Sequence, residues 1–405
     1  MNQRDILWFS VLLVTLAVWS SLMQHSDDRI YSHPFCDSRI FDERCFFSKS
    51  YVESRDEFIK RCLNLRKAFL NADLANRPLA DFPDLFIDFC MIRGSENANK
   101  FIVHSSGLHG VEGFSGAAIQ SSLMHLIANG SISIPIDLNI LFVHCINPFG
   151  MSRLRRVNEH NVDLNRNGII NWQEIQPIRD YENSRILLVP ETGNWFVRAT
   201  WWMSILIRIL FCGTNYLKSL IVPGQYVFPD GLFYGGNKRE QSLLILEDVL
   251  REYGVFESET VWIDVHTGLG EFGQDTLLAN SMFDGLKLKD ALPDVPVEYP
   301  GSLGSVKKGY ESMQGDIGPY FAGMFSTGTL FMITQEFGTY SGFNNFIALY
   351  LENVAYHFDR DSQQYYSDLY LKGAFNPTSS SWRISVVNKG VQLLKKIVQS
   401  SQIFR

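Results

Sequence analysis

Three apolar segments of this chain each run into a polar turn that carries a histidine or a glutamate and sits beside glycine. KFIVHSSGLHGVEG holds His109 and Glu112, TVWIDVHTGLG holds His266, and TLFMITQEFGTY holds Glu336. Short apolar runs rich in Val, Ile and Phe read as buried strands. Here they alternate with helical patterns, which predicts an α/β fold with a mainly parallel sheet. In open sheets of this kind ligands bind beyond the C-terminal ends of the strands. Each of the four polar residues falls at such an end. The expected architecture is a single large domain over residues 46–405, with a mixed, mainly parallel sheet flanked by helices and an apolar segment before it.

Other segments fill in this frame. Residues 48–72 place apolar side chains at helical spacing, and residues 116–130 form a second helix ending at Gly130. LFIDFCMIRG and KFIVHSS are strands separated by a polar turn, expected as a hairpin or as neighbours. LNILFVHCINPFG is a buried strand stopped by Asn-Pro. His104 and His144 sit inside strands and are expected in the core.

The N-terminus has its own signature. Residues 6–23 carry no charge, follow Arg4 and precede Asp27 and Asp28. This predicts a signal peptide or signal anchor over 1–23, a polar linker over 24–45, and entry into the secretory pathway, secreted or anchored with the catalytic domain lumenal. Membrane association would run through residues 6–23. Asn129, in an Asn-Gly-Ser triplet, fits that route. The 6 cysteines are too few for a disulfide-built scaffold. Cys36 and Cys45 are the plausible local pair, and the others read as core thiols. A second apolar stretch, 195–222, contains Arg198 and Arg208, so an amphipathic insertion fits better than a span. The net charge of -7, without a Lys/Arg-rich run, excludes nucleic acid as a natural partner.

Two histidines and a glutamate with one open coordination position make a hydrolytic zinc centre. His109 and Glu112 are three residues apart at the start of a helix, so one face presents both. His266 ends an apolar strand and points into a glycine-flanked turn. A carboxylate at the end of a buried strand is costly unless paired or catalytic, and Glu336 is therefore the candidate general base. The loop NPFGMSRLRRVNEHNVDLNRNG crowds Arg153, Arg155, Arg156 and Arg166 together, the residue type suited to carboxylates and developing oxyanions.

In this order the motifs resemble the zinc carboxypeptidase superfamily. More narrowly they resemble an uncharacterised branch of it, between the carboxypeptidases and the aspartoacylase/succinylglutamate desuccinylase-like deacylases. The segments carrying the likeness are Ser106–Gly113, Arg155–Asn167, Gly224–Gly236, Asp264–Gly270 and Glu336–Tyr340. The resemblance implies that His109, Glu112 and His266 ligate zinc and that Glu336 is the base. It implies that Arg156, with Arg155 as the near alternative, polarises the scissile carbonyl, and that Asn165 and Arg166 bind the substrate carboxylate. Asp163 would orient His109, and Tyr310 is the candidate for the mobile tyrosine of the peptidase members. The substrate would be a peptide or an N-acyl amino acid; the short spacing between NPFG and DLNR lies closer to the deacylases.

A different class of function competes for one of these segments. Asp163 to Glu174 matches an EF-hand calcium loop, with Asp163, Asn165, Asn167 and Glu174 as ligands and Gly168 at the turn. It has no second loop to pair with, and Pro177 interrupts the exit helix. A catalytically inactive binding protein is the third alternative, opposed by the intact set of ligands, base and arginines.

Overall fold

A computed structural model describes residues 42–68, 71–175, 185, 211, 220, 222–302, 313–400 and 403–404. The segment read as leader (1–23), the linker (24–45) up to residue 41, most of the 195–222 insertion, and Tyr310 lie outside the described residues.

The described residues build one eight-stranded sheet from β1 (Ala72–Pro78), β2 (Phe86–Ile92), β3 (Lys100–Ser106), β4 (Leu138–His144), β5 (Glu259–Thr267), β6 (Asp275–Ala279), β7 (Val297–Glu298) and β8 (Thr329–Phe337). The strand order is β1-β2-β4-β3-β5-β8-β6-β7. The four central strands β4, β3, β5 and β8 run parallel, and β2 and β6 flank them antiparallel. The mixed, mainly parallel α/β sheet is thus observed as expected. The expected pairing of LFIDFCMIRG with KFIVHSS is corrected: β4 lies between β2 and β3, pairing antiparallel with the first and parallel with the second.

Alternation along the strands supplies two cores, one per face. Ile102, Ile140, Val261 and Ile263 pack with Ala118, Leu123, Val386 and Leu394, under the helices Gly113–Ala128 and Ser380–Gln399. Phe101, Val103, Leu141 and Trp262 pack on the other face with Leu243, Leu246 and Leu250 of the helix Gln241–Glu252. His104 and His144 are buried, as expected.

The helix Tyr51–Lys67 is joined to β2 by a disulfide between Cys62 and Cys90. This corrects the reading of both as core thiols; helix and strand bring them to a Cα separation of 5.8 Å, the distance a disulfide needs. Closing a loop across a sequence separation of 28 restricts the unfolded chain by about 3–4 kcal/mol in the loop-entropy picture. Cys45 is also disulfide-bonded, and Cys145 is buried and free. Among the described residues no helix is long and apolar enough to cross a membrane.

Candidate metal centre

β5 and β8 pair in parallel with His266 directly beside Glu336. Register neighbours on adjacent strands project from the same face, so the two side chains emerge together at the C-terminal edge of the sheet. The turn after β3 supplies the rest. His109 leads into a 3-10 turn, Gly110–Glu112, which opens the helix Gly113–Ala128. Gly110 is required here: a Cβ would lie 2.1 Å from the carbonyl carbon of Gly150.

His109, Glu112 and His266 converge and are all buried. Nδ1 of His109 lies 3.2 Å from Nδ1 of His266, 3.0 Å separates His109 Nδ1 from Glu112 Oε1, and 3.3 Å separates His266 Nδ1 from Glu112 Oε2. Tetrahedral zinc with bonds near 2.1 Å sets its ligand atoms about 3.4 Å apart. The three donor separations fit that figure.

The far nitrogens explain the orientation. Nε2 of His109 lies 3.1 Å from Asp163 Oδ1, and Nε2 of His266 lies 2.7 Å from Asp264 Oδ2. With each Nε2–H given to an aspartate, both Nδ1 lone pairs face the point that the Glu112 carboxylate also faces. Three acceptors aimed at one point need a cation or a proton between them. Consistent with this, burial disfavours the charged imidazole of His266, yet Asp264 and Glu112 raise its pKa well above the ordinary histidine value. Glu112 stays ionised: burial opposes it, but the two histidines drive its pKa far down.

Asp264 was not singled out from the sequence. It is two residues before His266 on β5 and therefore on the same face. Its Oδ1 accepts from Ser105 Oγ at 2.5 Å, and Ser105 in turn accepts from Trp262 Nε1 at 2.7 Å. This relay fixes the carboxylate against β3. The period of 2 along the apolar strand was the signal that could have found it. The backbone N–H of Thr267, donating to Glu112 Oε2 at 2.9 Å, had no sequence signal.

Asp163 also accepts from Arg156 Nε at 3.0 Å, and Arg156 NH1 reaches Glu112 Oε1 at 3.2 Å. Burial alone would raise the pKa of Asp163, but Arg156 and His109 take it well below the usual range. Arg155 goes elsewhere. It is fully buried, with Nε 2.7 Å from Glu352 Oε1, NH2 on Asn161, and its guanidinium over the Tyr356 ring. Adjacent residues in this extended loop project oppositely, so only Arg156 lines the site. Arg166 is buried and donates only to backbone oxygens, those of Val222 and Asn165, among the bonds described. It lines the cavity with Asn165.

That cavity has a volume of about 680 Å³ and contains His109, Glu112, His266, Arg156 and Glu336 in its wall. Phe233, Leu278, Met332, Phe343, Phe346 and Phe375 give it a broad apolar surface. Gly268, at φ +137°, lets the chain pass Phe375, whose ring carbon would stand 2.8 Å from a Cβ there. Glu336 accepts from the N–H of Leu269 at 2.9 Å. Burial, reinforced by the charge of Glu112 and only partly offset by His266, pushes its pKa up to about 7.

Three of the calcium-loop side chains are engaged elsewhere. Asp163 serves His109 and Arg156, the amide of Asn167 binds the carbonyls of Gly235 and Lys238, and Glu174 binds Asn171.

A family model described as "Protein of unknown function (DUF2817)" matches residues 47–389. The chain belongs to this family. No curated protein matches the chain. Solved structures resemble this DUF2817 member in fold. The thrombin activatable fibrinolysis inhibitor aligns with a TM-score of 0.51 at 11% identity, covering 94% of this chain and 80% of that one. Carboxypeptidase A from Helicoverpa armigera aligns at 0.47 and 12% identity, covering 95% and 81%. The murein-tripeptide amidase MpaA from Escherichia coli O157 aligns at 0.34 and 16% identity, covering 76% and 93%. The likeness of fold rests on the first of these. The expected α/β fold is met by that likeness, and the buried His–Glu–His group fits a metal site.

Proposed function

We propose that this chain is a zinc-dependent hydrolase that cleaves an amide bond next to a free carboxylate, in a peptide or an N-acyl amino acid. The observation that carries this reading is the convergence of two imidazole Nδ1 atoms and one carboxylate at 3.0–3.3 Å, in the wall of a cavity that also holds Glu336.

His109, Glu112 and His266 would hold the metal, which supplies Lewis acidity and a water of lowered pKa when bound. Asp163 and Asp264 fix the two imidazoles in the ligating tautomer. Glu336, at the wall of the same cavity, takes the proton of the attacking water and returns it to the leaving amine. Arg156 stands beside Glu112 and donates to the carbonyl oxygen as it gains charge. Arg166 and Asn165 receive the substrate carboxylate, and Arg166 brings a buried charge whose described bonds go only to neutral oxygens. The apolar wall excludes water and accepts the substrate's uncharged part.

A secretory location accompanies this reading. The uncharged segment 6–23, the exposed Asn129 of the Asn-Gly-Ser triplet and the Cys62–Cys90 disulfide support it.

The test is a panel of peptides and N-acyl amino acids, each with its carboxylate free or amidated, offered to zinc-loaded and chelator-stripped protein. Cleavage confined to free carboxylates and to the loaded form is expected. Equal cleavage of amidated substrates would remove the carboxylate role, and activity that survives chelation would remove the metal.

A further inference from the structure

The loop between Arg156 and Asp163 carries two residues that the proposed chemistry does not use. Glu159 and His160 lie on a turn in which Asn161 adopts a φ of 59°. The side chain of Asn158 pins this turn, its Oδ1 accepting from the N–H groups of His160 at 3.0 Å and Val162 at 2.8 Å. Asn158 Nδ2 donates to Glu240 Oε2 at 2.8 Å, and His160 Nδ1 lies 2.7 Å from the same oxygen. Glu240 is buried, immediately before the helix Gln241–Glu252, and its own N–H donates to Asn167 Oδ1. Loop and helix start are thus tied together before any ligand arrives.

One ligand-type atom each from Glu159, His160 and Glu240 falls within 4.8 Å of the others. Oε2 of Glu159 is buried and has no hydrogen-bond partner. Burial raises the pKa of Glu159 and the charges of Glu240 and Asp81 add to this, against a backbone N–H and His160. A buried carboxylate oxygen with no hydrogen-bond partner has to be neutralised, by a proton or by a cation that reaches it. The His160 side chain is 47% exposed and leaves an entry path from solvent.

We propose that Glu159, His160 and Glu240 form a second divalent-cation site, separate from the His109–Glu112–His266 centre. One imidazole and two carboxylates suit a first-row metal such as zinc, with the remaining positions taken by water. Closing the ligand atoms from up to 4.8 Å to the roughly 3.4 Å of a tetrahedral site needs a small rotation of Glu159 and His160, the two less buried members. His160 lies three residues before Asp163, so a cation here would clamp the segment that positions both Asp163 and Arg156.

The test is zinc stoichiometry by equilibrium dialysis and elemental analysis of the whole chain. Two equivalents are expected for wild type. One is expected for His160→Ala and for Glu159→Gln, both chosen at less buried positions, and one for His266→Ala. Thermal unfolding of the metal-free proteins checks that each variant folds, and Glu159→Gln decides if His160→Ala does not. Wild type holding a single zinc that vanishes in His266→Ala, or two zincs retained in both Glu159→Gln and His160→Ala, overturns the second site. A single zinc that vanishes in Glu159→Gln and persists in His266→Ala supports this site and removes the first instead.

Discussion

Replacing Asp264 by Asn tests how the centre is held. The substitution keeps shape and removes charge. In the native chain the carboxylate meets His266 Nε2 at 2.7 Å and receives Ser105 Oγ at 2.5 Å. An asparagine oxygen can still accept from the imidazole, but its amide group then faces the serine hydroxyl and has no lone pair to offer it. A charge-assisted bond contributes about 1.5–3 kcal/mol and a neutral one about 0.5–1.5 kcal/mol. The loss at His266 is therefore about 1–1.5 kcal/mol. Since 1.4 kcal/mol is tenfold in an equilibrium constant, zinc affinity should fall roughly tenfold. Outer carboxylates of this kind commonly control metal affinity by about 10–100-fold. Competition against a chromophoric chelator measures the change, and a melt of the metal-free protein confirms folding. Wild-type affinity in a folded Asp264→Asn protein would show that the aspartate does not orient a metal ligand.

Three further outcomes are expected. Glu336→Gln should keep its zinc and lose turnover by about 10²–10⁴-fold, the range of a general acid–base, checked by elemental analysis and steady-state kinetics together. His266→Ala should lose the zinc of the main centre, and wild-type stoichiometry would remove the ligand assignment. Acid should weaken the fold through His104 and His144. Burial takes their pKa values down to about 4 and about 3, below the unfolded value of 6.5. The unfolded chain thus binds more protons between pH 6.5 and 4, and stability is lost as pH falls through that window. At about 1.4 kcal/mol per unit for each group the loss is on the order of 6–7 kcal/mol by pH 4. Denaturant titrations across that range check it, and His104→Gln, which takes no proton, should flatten the slope by about half.

What the sequence showed and what it hid divide along physical lines. His109, Glu112, His266, Glu336 and Asp163 were legible because each lies in a short motif at a strand end or turn, where chemistry is local in the chain. Asp264 lay inside a motif already noted and was missed because its work is done sideways, across β5 to β3. Arg155 and Arg156 could not be separated by residue type. What separates them is Glu352, 197 positions further on, which draws Arg155 into the core. The order of β2, β4 and β3 was hidden for the same reason: strand pairing is non-local, and the apolar pattern of β4 does not say where it inserts. The Cys62–Cys90 bridge depends on how a helix face meets a strand, which neither segment records alone. The short strands β6 and β7 have too few residues to leave a pattern.

The account rests on one cation held by His109, Glu112 and His266. Anomalous diffraction at the zinc edge from crystals of zinc-loaded protein tests it most directly. A peak about 2 Å from Nδ1 of both histidines and from a Glu112 oxygen is expected. Fully loaded crystals with no peak between those three side chains would contradict it.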